Sequence, residues 1–112
     1  MTETTETKKT TRKPNPLTAI LNEVKAKADD GGVLPLVGGA NGEGAQEYHA
    51  AQEHRWSIVN QHREKIGKLG SDGLLLEDVH AAGAATSKLD QREALILVAA
   101  QAVAAVAALD GA

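Results

Sequence analysis

The stretch that decides the fold is REALILVAAQAVAAVAALD, residues 92–110. After Glu93, every residue as far as Leu109 is apolar except Gln101. The run contains no Gly or Pro and predicts a helix, and a helix that is apolar on all sides must be buried on all sides. In a small protein this requires a central position or a second subunit. The residues that we expect at the subunit interface are Val98, Val103 and Val106.

A membrane-spanning helix is the alternative interpretation of this run. From Ala94 to Leu109 it is 16 residues long, which is near the lower limit for crossing a bilayer, and it is rich in Ala rather than Leu. No Lys or Arg follows Leu109. We therefore expect no membrane partner.

Composition also favours an oligomer. The chain of 112 residues has no Phe, one Trp and one Tyr, so its core must be built from Ala, Leu, Val and Ile. Small aliphatic side chains bury little area, and burial contributes only about 25 cal/mol per Å². In proteins with such a small core, a second subunit commonly supplies the additional burial of apolar area.

The charge distribution argues against nucleic acid as a partner. Residues 1–13 carry four basic and two acidic side chains, which gives +2, whereas residues 31–112 carry six basic and ten acidic ones, which gives −4. Binding to phosphates needs clustered Lys and Arg. The chain has no cysteine, which excludes disulfides and thiol catalysis and fits a reducing compartment. Since the N-terminus has no apolar signal region, we expect a cytoplasmic protein.

The pattern of apolar and glycine residues predicts three regions. Residues 1–16 are rich in Thr, Lys and Glu and are expected to be a disordered tail. Residues 17–44 predict a short amphipathic helix, closed by Gly31 and Gly32, and a glycine-rich linker. That linker lacks the Gly-Lys-Ser/Thr of a phosphate-binding loop. Residues 45–112 predict a helical core domain.

Within the core domain we expect three helices. The first covers residues 45–68 and is followed by a glycine-rich turn over 67–73. The second covers 74–86 and has Ser71 or Asp72 as its cap. The third begins at Asp90, whose spacing to Glu93 resembles a capping box, and it ends before Gly111. With the helix near the N-terminus, this predicts an all-α fold, a small antiparallel bundle of about four helices.

The histidines do not form a recognisable metal motif. They are His49, His54, His62 and His80. His49 and Glu53 stand four residues apart on one helix and could ligate together, but nothing else in the sequence completes a zinc site. We expect the histidines to face solvent.

Three segments together resemble a known family. The first contains Gln61, His62, Lys65 and Gly67, the second is LLEDV at 75–79, and the third is REALILVAA at 92–100. They resemble the MazG-like nucleoside triphosphate pyrophosphohydrolases, particularly small phage and bacterial members, over roughly residues 55–110.

The resemblance implies an all-α dimer or tetramer in which carboxylates from two helices hold Mg²⁺. The implied reaction is hydrolysis of a nucleoside triphosphate to the monophosphate and pyrophosphate. At the four ligand positions of the family this sequence has Asp78, Ala81, Ala94 and Leu97. The magnesium ligands that we expect here are Glu77, Asp78 and Glu93. Lys65 and Lys68 are expected to bind phosphates.

Three hypotheses for the function follow. The chain is a divergent pyrophosphohydrolase, or a non-catalytic protein on the same scaffold that acts by oligomerising or by binding a nucleotide or a protein. The third hypothesis is an unrelated helical assembly protein whose Ala-rich helix matches the family by chance. The missing carboxylates favour the second hypothesis over the first, because Mg²⁺ tolerates poor geometry badly.

Overall fold

The structure is a computed structural model, and it describes residues 16–36 and 42–111. It confirms the all-α prediction: these two ranges contain four helices and no strand. The helices are α1 (Pro16–Gly31), α2 (Gly42–Lys65), α3 (Ser71–Ala84) and α4 (Lys88–Gly111). The predicted tail, residues 1–16, lies outside the described residues apart from Pro16, which begins α1.

The chain divides into two compact units. The first, residues 1–32, contains α1, where Ile20 is buried. The second, residues 33–112, contains α2, α3 and α4. In this second unit α3 lies in the middle and packs against both α2 and α4, whereas α2 and α4 make no contact with each other in the part of the chain that the structure describes. One side of α4 is therefore covered by α3 alone.

α2 ends earlier than the sequence predicts. Gly67 has a left-handed backbone with φ of 71°, a conformation that glycine adopts without steric cost. Its N–H donates to Glu64 O at 3.2 Å, and Lys68 N–H donates to Arg63 O at 2.7 Å. These two bonds form a Schellman motif, which satisfies the last carbonyl groups of the helix and turns the chain towards α3.

Two predicted helix caps are wrong. The residue before α3 is Gly70, in an extended conformation and without a side-chain cap, so neither Ser71 nor Asp72 is the cap. Before α4 the cap is Ser87, whose Oγ accepts a hydrogen bond from the Asp90 N–H at 3.1 Å. Asp90 is thus inside the first turn, where a carboxylate is favoured by the helix dipole.

Small residues allow α2 and α3 to approach closely. A Cβ atom at Gly73 would overlap the Asn60 side chain, and one at Gly83 would overlap the His49 ring. The buried apolar residues described in this unit are Ala82 and Ala94. The described core is therefore narrow, and its specific contacts are polar.

Candidate functional site

A buried amide connects α2 to α3. Asn60 is 5% exposed, and its Nδ2 donates to Gly73 O at 2.9 Å and to Glu77 Oε1 at 2.8 Å. Both acceptors belong to α3, so this one side chain fixes the register of the two helices. Glu77, which the sequence predicts as a magnesium ligand, therefore faces α2.

The neighbouring carboxylate faces the other way. Gln101 Nε2 in the middle of α4 donates to Asp78 Oδ2 at 2.6 Å. Partial burial raises the pKa of the Asp78 carboxyl above its usual value, the hydrogen bond from Gln101 opposes this rise, and the nearby charge of Glu77 adds to it. Gln101, the one polar residue inside the apolar run, thus has a defined role in joining α4 to α3.

The structure does not bring the three predicted ligands together. Glu77 bonds to α2 and Asp78 bonds to α4, while Glu93 is exposed and lies with Arg92, Ile96 and Leu97 along an open concave surface of α4. Across residues 16–36 and 42–111, no group of three or more His, Asp or Glu residues is arranged to hold a metal ion. The residues as placed do not fit a magnesium site, and the ligand set stays a prediction.

The predicted phosphate-binding lysines lie at the turn between α2 and α3. Lys65 is the last residue of α2, Lys68 follows Gly67, and both are exposed. They stand at the opposite end of α2 from His49. Their role in binding phosphates also stays a prediction.

Two of the four histidines do not face solvent, contrary to the prediction. His49 of α2 and His80 of α3 are half-buried, and their Nδ1 atoms lie 2.8 Å apart. The Tyr48 ring meets both imidazoles edge-on, with centroids 5.3 and 6.0 Å away. Burial lowers the pKa of His80, the adjacent His49 lowers it further, and Glu53 opposes this. His54 and His62 are exposed, as predicted.

One face of α4, the inner stripe, is occupied by α3. It consists of the half-buried or buried residues that repeat every three or four positions: Gln91, Ala94, Val98, Gln101 and Ala105. Gln91 donates to Ala82 O at 3.2 Å and Gln101 donates to Asp78, so both ends of this stripe are joined to α3. Val98, which the sequence predicts at the subunit interface, belongs to this inner stripe and therefore lies on the face of α4 that α3 occupies.

The opposite face of α4 is a second apolar stripe with the same spacing. This outer stripe consists of Leu89, Arg92, Ile96, Ala99, Val103, Val106 and Asp110, all of them exposed except Val103, which is half-buried. Leu89 is 65% exposed, Ile96 53% and Val106 40%. Val103 and Val106, two of the three predicted interface residues, belong to this outer stripe.

The sequence gives only part of this arrangement. The isolated Gln101 in an apolar run is a signal that a polar partner exists, but the partner depends on which α3 residue faces it. Asn60 carries no local signal, since it stands in a helix among other polar residues. The pairing of His49 with His80 depends on the register that Asn60, Gly73 and Gly83 impose.

Comparison of this chain with protein-family models, with curated proteins and with solved structures finds no match.

Proposed function

We propose that this protein is a cytoplasmic, non-catalytic helical assembly protein that forms a homo-oligomer through the outer stripe of α4. The observation that carries the proposal is that α4 is apolar over most of its surface, while its outer stripe, apart from the half-buried Val103, is exposed. In its most apolar 18-residue window, which has a mean hydropathy of 2.0, 6% of the residues are buried. A soluble monomer rarely exposes so continuous an apolar surface.

The exposed apolar surface contributes a favourable term to association. Full burial of a Leu, Ile or Val contributes about 1.5–3 kcal/mol, so covering a half-exposed one contributes about 1 kcal/mol. Three such residues on each of two subunits give about 6 kcal/mol before any alanine is counted. Association costs about 4–15 kcal/mol, so these six side chains offset only the lower part of that cost, and the alanines and charged residues of the stripe must supply the rest.

A membrane is the competing environment for α4, because this helix is long and apolar enough to cross a bilayer by length and composition. Its contacts oppose that role. α4 packs along α3, which carries Asp72, Glu77, Asp78 and His80. Crossing a bilayer would either separate α4 from α3 or bring these ionisable groups into hydrocarbon, which is costly.

Nucleotide hydrolysis is the competing function, and the ligand positions of the MazG-like family argue against it here. Asp78, the one ligand position of the MazG-like family that carries a carboxylate here, faces α4. The positions expected to complete the ion's shell are Ala81, Ala94 and Leu97, which offer no oxygen ligand. We expect titration with nucleoside triphosphates and Mg²⁺ to release no pyrophosphate. Release that is lost on Glu77→Gln together with Asp78→Asn would establish the enzyme instead.

The test of assembly compares two neighbouring substitutions on α4. Val103→Glu places a carboxylate in the middle of the outer stripe, whereas Ala102→Glu places the same charge on the exposed flank, about 100° around the helix. Light scattering coupled to size exclusion gives the mass of each. We expect the wild type and Ala102→Glu to be oligomers and Val103→Glu to be a monomer.

Two outcomes would contradict the proposal. A wild-type mass of one chain at tens of micromolar would exclude self-assembly, and sedimentation of that monomer with phospholipid vesicles would point to the membrane. A Val103→Glu variant with the wild-type mass would exclude the outer stripe as the interface. Circular dichroism of each variant shows whether dissociation is accompanied by loss of helix.

A further inference from the structure

The outer stripe is complementary to a second copy of itself that runs in the opposite direction. Its residues from Arg92 to Asp110 are spaced by four, three, four, three and four positions, which is the same from either end. When a second copy is placed antiparallel, each of these six residues therefore aligns with another of the six, while Leu89 lies beyond the paired positions. The pairs are Arg92 with the partner's Asp110, Ile96 with the partner's Val106, and Ala99 with the partner's Val103.

Each of these pairs matches in charge or in size. Arg92 and Asp110 are both exposed, are opposite in charge and stand about 27 Å apart along α4. A two-fold axis would therefore form an ion pair at each end of the interface. Between them, the larger Val103 side chain would lie over the small Ala99, which lets the helix backbones approach closely.

The helix dipole favours the same orientation. Asp110 lies in the last turn of its own helix, where the negative end of the dipole disfavours a carboxylate, and no basic residue accompanies it there. In the reversed arrangement Asp110 would lie near the positive end of the partner's α4. Arg92, five residues into α4, would likewise lie near the partner's negative end.

A parallel arrangement loses these matches. It would place Arg92 against the same arginine of the second copy and Asp110 against the same aspartate, and it would leave two alanines facing each other at position 99. Like charges directly opposite each other are destabilising, and a pair of alanines fills little space.

We infer that the partner of α4 is the α4 of a second copy, antiparallel to it and related by a two-fold axis level with Gln101. The inference rests on the proposed assembly and specifies its orientation and register. An interface of this kind is isologous, so it closes as a dimer and does not extend into a filament.

Cysteine cross-linking tests the register, since the chain has no cysteine of its own. Chains carrying Ala99→Cys and Val103→Cys, one of them with an affinity tag, are unfolded together, refolded as a mixture and oxidised. The antiparallel register predicts a mixed disulfide formed several-fold more than either disulfide between identical chains. Each variant alone must keep the wild-type mass before oxidation.

A charge exchange tests the ends of the interface. We expect Arg92→Asp and Asp110→Arg each to raise the dimer Kd by roughly tenfold, because both ion pairs become like-charge contacts. The double variant Arg92→Asp with Asp110→Arg restores the wild-type Kd if the helices are antiparallel. In a parallel dimer each single variant keeps a like-charge contact at both ends, so its Kd stays near the wild-type value, and the double variant pairs preferentially with wild-type chains.

The possible outcomes distinguish a failure of this inference from a failure of the proposed assembly through α4. A wild-type monomer overturns both. A wild-type dimer that cross-links mainly between two Ala99→Cys chains is parallel and overturns only the inference. A dimer with no disulfide at either position has its interface elsewhere and overturns both. A mixed disulfide together with a restored Kd supports both.

Discussion

Asn60 shows how one buried amide sets the packing of two helices. Replacing it by Asp exchanges the donor for a carboxylate that faces the Gly73 carbonyl and the Glu77 carboxylate. We expect Asn60→Asp to lower the free energy of unfolding at pH 7 by about 3 kcal/mol, measured by urea denaturation.

The control for this substitution is the neighbouring residue. Gln61→Glu makes the same chemical change on the exposed side of α2 and is expected to alter stability by no more than about 0.5 kcal/mol. Equal effects of the two substitutions would show that Asn60 does not hold α3.

The histidine pair makes stability depend on pH. The pKa of His80 is lowered in the folded protein by burial and by His49, with Glu53 opposing, so the unfolded chain binds a proton more readily. Stability therefore falls as the pH drops below the unfolded value of about 6.5 and towards the lowered folded pKa. We expect His80→Gln to flatten this part of the profile, measured as the urea midpoint between pH 8 and pH 5.

The matched variant for the histidine prediction is His62→Gln, which changes an exposed histidine of α2. It should leave the fall in stability unchanged. Asp78 acts in the opposite direction at lower pH, because its raised pKa makes protonation stabilise the folded state as the pH falls towards 3.8. A wild-type profile that is flat from pH 8 to pH 5 would refute the role of His80.

At the scale of helices, the start of α4 shows that a sequence pattern does not by itself identify the residue that caps a helix. Ser87 Oγ accepts from the Asp90 N–H, whereas Ser71 is the first residue of α3 and follows the cap. We expect Ser87→Ala to cost about 1 kcal/mol of stability and Ser71→Ala to cost less than about 0.5 kcal/mol, in thermal or urea unfolding. The reverse order would place the cap where the sequence predicts it.

This difference shows what the sequence could predict of the helices. The glycine at position 67 and the apolar run from Ala94 indicate correctly that helices lie on either side of a turn and that α4 is continuous. The sequence does not determine which residue caps α4. Asp90 with Glu93 and Ser87 with Asp90 both have the three-residue spacing of a helix cap. Which one caps depends on where the backbone leaves the helix, and that follows from the packing of α4 on α3.

Knowing where the helices lie in the sequence was not enough to predict the partners of the candidate site residues. Glu77 and Asp78 are adjacent in sequence, and a metal site needs them on one side, yet adjacent residues of a helix point about 100° apart. With α3 between two helices, this angle sends one carboxylate to Asn60 and the other to Gln101. The sequence alone does not show that α3 is the middle helix, so it could not assign these partners.

At the scale of the whole molecule, the small core means that any apolar burial gained on assembly adds to the stability of the fold. Within the described part of residues 33–112, the buried apolar side chains are Ala82 and Ala94, and many larger ones on α4 are exposed. Two alanines contribute little to stability. We therefore expect association through the outer stripe to add apolar burial and to stabilise the folded chain.

Stabilisation by association predicts that stability depends on protein concentration. Each tenfold dilution of a dimer that unfolds to two chains lowers its free energy of unfolding by about 1.4 kcal/mol, which corresponds to a fall in Tm of about 3–5 °C. We expect scanning calorimetry of the wild type and of Ala102→Glu to show this fall. Val103→Glu should unfold at a lower temperature that does not change on dilution. A wild-type Tm that is constant over a hundredfold range would mean that each chain folds alone, and that the outer stripe of α4 contributes nothing to the fold.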